Sequence, residues 1–179
     1  MPSTLDNYIQ LFLLQPESLK DIPITQTGIL AVFAAPEVLR SGLLPSLSKS
    51  YIFKAGIAQK LEHDAQWIKS YDFGLIATMQ DPQALLNHAL SMAKENHEFP
   101  VSIGIAYGEG ITLEKGEWLG IPRFQAERMA QFGAHHQVAA TQEFIDALEH
   151  IPEGVGLLSG HRSMEQIMSF PFLIVRDYR

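Results

Sequence analysis

Phe124, Arg128 and Phe132 recur at four-residue intervals, so in a helix they share one face and set a lone cation between two blocks of apolar bulk. An arginine so placed can pair with Glu127, with Glu117 or with a partner protein. The other reactive side chains form few constellations. None of the seven histidines falls in an HxxxH or HExxH pattern. His135 and His136 are adjacent, so on a strand their rings point to opposite faces and share a metal poorly, and His88 and His97 read as surface residues. There is no cysteine, which excludes thiol nucleophiles, disulfides and Cys-ligated metals. No G-x-S-x-G elbow occurs. The Gly-rich stretch Pro152 to Gly160 lacks the Lys and the spacing of a phosphate-binding loop and reads as a turn. Lys49, Lys54 and Lys60 read as a solvated face, Asp72 as a turn residue bonded to its own backbone, and Glu37 as a first-turn helix carboxylate.

The elements that must position these residues follow from periodicity. Leu5 to Leu14 reads as a short helical lead-in, with Pro16 to Thr27 a loop. GILAVFA, Gly28 to Ala34, is a continuous apolar run and reads as a buried central strand. Pro36 to His63 reads as helix broken at Ser41-Gly42 and Pro45, with Ala55, Ile57, Ala58 and Leu61 on an apolar face. Ala65 to Thr78 reads as two strands joined near Asp72-Phe73-Gly74. Asp81 to Glu95 is the clearest helix, with Asp81 at its N-cap and Pro82 at the first helical position. Val101 to Tyr107 alternates as a strand, Gly108-Glu109-Gly110 reads as a turn, Ile111 to Leu113 as a second strand and Glu114-Lys115-Gly116 as a polar turn. Gly120 and Pro122 open a helix. Gln137 to Ala140 reads as a strand, Thr141 as the cap of a helix from Gln142 to Glu149, and Phe170 to Val175 as the final strand.

At 179 residues one domain with a sizeable core is expected. The chain is 46% hydrophobic and 18% charged, a globular composition. A net charge of −7 argues against nucleic acid, whose phosphates need a basic surface. No apolar run reaches the ~18 residues of a membrane span and no signal pattern opens the chain, so the expectation is no membrane and a cytoplasmic location.

The stretch FPVSIGIAYGEGITLEKGEWLGIPRFQAERM, Phe99 to Met129, resembles the catalytic domain of class III nucleotidyl cyclases, the family that makes cyclic AMP and cyclic GMP. That family has a strand ending in a pattern like GIHxGE, then a hairpin, an acidic residue, a Gly, and a helix carrying Asn and, four residues on, Arg. Here GIAYGEG spans Gly104 to Gly110, GEWLG spans Gly116 to Gly120, and PRFQAERM starts at Pro122. The first strand of the family ends in a pattern like FADIxGFT, against VFAAPEVLR from Val32 to Arg40, and its second hairpin looks like KxKTIGDxxxA, against the run from Trp67.

The resemblance implies an α+β fold, a ferredoxin-like βαββαβ core with extra strands and helices. Such domains often pair head to tail with a second copy, with active sites at the interface. One chain supplies two metal carboxylates and the other the base-reading and phosphate-stabilising side chains. On this pattern Lys69 matches the base-reading lysine. Glu117, seven residues before Phe124, takes the place of the purine-reading acid. Arg128 matches the arginine that neutralises charge on the transferring phosphate, as a vestigial catalytic candidate, and Phe124 replaces the ribose-orienting Asn. Ala35 and Phe73 stand where the metal-binding Asp pair belongs, so neither a metal site nor a cofactor is expected. The reading is an N-terminal lead-in over residues 1–27 and a cyclase homology domain over 28–179. Its function is that of a catalytically degenerate cyclase-like module, signalling or regulatory, that binds a protein partner or a second copy of itself. The alternatives are a complementing half of an adenylate or guanylate cyclase, or a purine nucleotide binder without turnover.

Overall fold

The structure, a computed structural model, describes residues 23–40, 42–95, 99–113, 117–132, 137–164 and 168–177. The expected lead-in helix and His97, His135 and His136 lie outside them. The core is β1 (Ile24–Ala34), α1 (Pro36–Leu39), α2 (Leu43–Leu61), β2 (Trp67–Tyr71), β3 (Gly74–Met79), α3 (Pro82–Glu95) and β4 (Val101–Thr112). Its strands lie in the order β2-β3-β1-β4, every neighbouring pair antiparallel. This is the ferredoxin-like βαββαβ arrangement. The sheet continues through β5 (Trp118–Leu119), which pairs with β4, and through β6 (Val138–Ala140), parallel to β4. The last strands, β7 (Val155–Met164) and β8 (Met168–Asp177), extend it antiparallel beyond β6. Helix α4 (Ile121–Phe132) connects β5 to β6, and α5 (Gln142–Asp146) lies between β6 and β7.

Alternation along the strands sorts the side chains into two layers. Leu30 and Val32 of β1, Leu75, Ala77 and Met79 of β3, and Ile103 and Ile105 of β4 face the main core with Ile57, Leu61, Leu85, Ala89, Met92 and Phe144 of the helices. Ile29 and Ala31, Ile76 and Ala106 face the other way, toward Ala126 and Ala130 of α4 and Trp118. Helix ends follow their caps: the Gln83 N–H donates to Asp81 Oδ1 at 2.8 Å, and the Phe144 N–H to Thr141 Oγ1 at 3.3 Å. Glu37 lies in the first turn of α1.

Four expectations change. Residues 24–27, expected as loop, extend β1 and pair with Gly108–Ile111 of β4. Gly108-Glu109-Gly110 is therefore extended strand, and the chain reverses only after Thr112. Pro45 does not break the helix but sits in the first turn of α2, where its missing N–H costs nothing. The turn expected over Pro152–Gly160 is confined to the residues before Val155: Gly154 takes a left-handed φ of 82°, and the residues after it join the ladder with β8. No helix of the described residues is long and apolar enough to cross a membrane.

Candidate functional site

The corner where β1 ends carries the two positions the resemblance assigns to metal. Ala35 is fully buried as the N-cap of α1, its N–H bonded to the Pro100 carbonyl at 2.9 Å. Phe73 lies beside it in the β2–β3 turn, its carbonyl accepting the Ala34 N–H at 2.7 Å. The sheet thus brings the two places together, but a methyl and a phenyl ring offer no oxygen to a hard cation. The carbonyls of the same turn are engaged from within the protein. Lys54 Nζ donates to the Tyr71 carbonyl and, at 3.2 Å, to that of Asp72, which also accepts from Ser50 Oγ at 2.8 Å. Lys54 is therefore a clamp on the turn rather than part of a solvated face. The residues at this corner do not fit a divalent metal. Among the described residues no three His, Cys, Asp or Glu side chains stand together as a metal group.

A second cluster forms where α4 begins beside β2. Odd residues of β2 place Trp67, Lys69 and Tyr71 on the sheet face that α4 only partly covers. The β4–β5 hairpin, closed by the Leu113 N–H on the Glu117 carbonyl at 2.6 Å, delivers Glu117 to the same place. Lys69 Nζ lies 3.1 Å from Glu117 Oε1, so two residues 48 positions apart that the resemblance names together do meet. Both are roughly one-third exposed or more, at 41% and 32%. Lys69 also lies 5.9 Å from the centre of the Tyr71 ring.

The hub of the cluster is Arg123. Its Nη1 lies 3.9 Å from Glu117 Oε1, its Nε 3.4 Å from Glu127 Oε1, and its Nη2 donates to Tyr71 Oη at 2.6 Å. Its guanidinium carbon lies 5.7 Å from the centre of the Trp67 ring. Sequence reasoning passed over Arg123, although its spacing of four from Glu127 was a readable helical ion-pair signal. Arg128 lies five residues further on, about 140° around a helix of 3.6 residues per turn, and is exposed. The carboxylates considered as its partners thus serve Arg123. Phe124 is exposed at 71%, whereas Phe132 packs on Met129 and Ala139, so the apolar bulk around Arg128 is uneven.

Gly104, Gly108 and Gly110 of GIAYGEG and Gly120 of GEWLG are explained by close approach. A Cβ at Gly104 would lie 2.1 Å from the Ala126 carbonyl and 2.2 Å from the Ala130 nitrogen of α4. One at Gly110 would lie 2.0 Å from the Trp118 ring. Gly104, Ala106, Gly108 and Gly110 form one small-residue face of β4, which lets α4 lie directly on the strand and places Arg123 over β2.

With this geometry in view, the chain superposes on solved nucleotide cyclases. The catalytic core of a rhodopsin-guanylyl cyclase with converted specificity, in complex with ATPalphaS, matches with a TM-score of 0.69 at 9% identity, covering 89% of this chain and 99% of that one. The fold is that of a nucleotide cyclase catalytic domain. The guanylate cyclase domain of RhGC from Catenaria anguillulae in complex with GTP gives a TM-score of 0.65 at 9% identity, covering 88% and 100%. The adenylate/guanylate cyclase/hydrolase from Silicibacter pomeroyi gives 0.61 at 17% identity, covering 86% and 96%. No protein-family model and no curated protein sequence matches this cyclase-like chain.

Proposed function

We propose that this chain is a catalytically degenerate nucleotidyl cyclase-like domain that works as a signalling or regulatory binding module, through a protein partner or a second copy of itself. The observation that carries the reading is the corner of Ala35 and Phe73. The fold brings the two positions side by side, and neither side chain can ligate the metal that cyclic-nucleotide formation requires. Support for a docking role comes from α4, which leaves Ile121 and Phe124 more than 70% exposed at its N-terminal turns. The purified chain, incubated with ATP or GTP and Mg²⁺ or Mn²⁺, is expected to release no cyclic nucleotide. Turnover sensitive to Lys69→Ala would sink the reading.

The Lys69–Glu117 pair favours a second reading, the complementing half of a two-chain cyclase. The test is to mix the chain with a cyclase chain that has both metal carboxylates but lacks its own base-reading lysine. Activity found only in the mixture, and lost with Lys69→Ala, would favour this reading over the first.

A further inference from the structure

We propose that Arg123 is a built-in occupant of the base slot, and that a purine can lie there only by displacing its guanidinium. This rests on the reading of Lys69 and Glu117 as base-contacting residues. The guanidinium is a flat, hydrogen-bonding group set over an indole, with its donors turned to Tyr71 Oη, Glu127 and Glu117. A purine stacked on Trp67 and read at its edge by Lys69 and Glu117 would use the same ring face and the same acceptor. The two cannot share it.

Charge makes the occupied state self-sufficient. Lys69 and Arg123 supply two positive charges, Glu117 and Glu127 two negative ones, and each cation lies within 4 Å of a carboxylate. The Arg123 side chain is only 18% exposed, and an arginine so enclosed is held by paired charge and stacking together. An incoming base must break those contacts before it gains its own. The affinity of the closed protein is therefore reduced by the fraction of molecules in which Arg123 has swung out.

The chain offers its own reporter. It has two tryptophans: Trp118, in β5, is buried with its ring against Gly110 of β4, and Trp67 is the half-buried ring beside the Arg123 guanidinium. Quenching of tryptophan emission by GTP or ATP, read against thermal unfolding of the same samples, follows occupancy of the slot. Arg123→Ala is expected to bind one of the two nucleotides at least tenfold more tightly than the parent chain. The gain should disappear in Arg123→Ala/Lys69→Ala, and its quenching signal in Arg123→Ala/Trp67→Phe. Arg123→Met keeps the aliphatic packing and replaces Arg123→Ala if circular dichroism shows the latter unfolded. The proposal is overturned if neither variant binds more tightly than the parent. If the parent chain already binds as tightly and Lys69→Ala abolishes this, the occupant idea falls and the base-slot reading stands. A gain that is indifferent to both Lys69→Ala and Glu117→Gln overturns the base-slot reading, and the proposal with it.

Discussion

Glu117 faces two cations, at 3.1 Å from Lys69 and 3.9 Å from Arg123, yet remains partly in water. Ion pairs as exposed as Lys69–Glu117 contribute about 0–1 kcal/mol to folding. Lys69→Ala is therefore expected to change the urea unfolding free energy by less than about 1 kcal/mol. A larger loss would show that the pair holds the hairpin in place, and nucleotide-binding data on that variant would then need a different interpretation. Lys54 is the opposite case, because it donates to two turn carbonyls from a half-buried position. Its replacement by Met removes charge-assisted hydrogen bonds worth about 1.5–3 kcal/mol, and the midpoint in urea should fall accordingly. An unchanged midpoint would mean that Ser50 alone suffices to hold the β2–β3 turn. The local pattern around Lys69 was readable in the sequence. The grip of Lys54 on the turn was not, because its partner lies 17 residues away and nothing local points to it; at Arg123 only the pairing with Glu127 was local, whereas Tyr71 lies 52 residues away.

Helix α4 and strand β4 meet with almost no side chain between them, and this contact sets where Arg123 and Glu127 fall. Gly104→Val would drive a side chain into the α4 backbone, which is less able to yield than a side-chain tip. Overpacking of this kind costs about 1–3 kcal/mol, and here the upper end is expected, with partial loss of the Arg123–Tyr71 contact. Gly56 provides the control. It lies inside α2, and a Cβ there meets nothing within 4 Å, so Gly56→Ala should stabilise the chain by about 0.5–1 kcal/mol. Equal effects from the two substitutions in thermal or urea unfolding would contradict the close-packed reading of β4. Apolar alternation and the Asp81 and Thr141 caps made most elements legible in the sequence. The straight run through Gly108-Glu109-Gly110 was not, because glycines that serve close approach and glycines that serve turns look alike until the pairing with β1 and the position of Trp118 are known.

The cyclase-like chain as a whole combines the fold of nucleotide cyclases with a corner at the end of β1 where Ala35 and Phe73 carry no side-chain oxygen. If α4 is a docking surface, Phe124→Asp places a charge in an exposed apolar position without disturbing the core. The expected outcome is a self-associating parent chain and a monomeric, folded variant in light scattering behind size exclusion. A variant with unchanged mass would shift the docking role away from Phe124. The sequence alone determined the order and type of most elements, because periodicity and caps are local properties. Only the tertiary structure decided that Lys69 meets Glu117, that Arg123 lies over Trp67 between two carboxylates, and that Lys54 grips the β2–β3 turn. Those contacts depend on sheet order and on the close seating of α4 on Gly104, which join side chains from β2, α2, the β4–β5 hairpin and α4 that are remote along the chain.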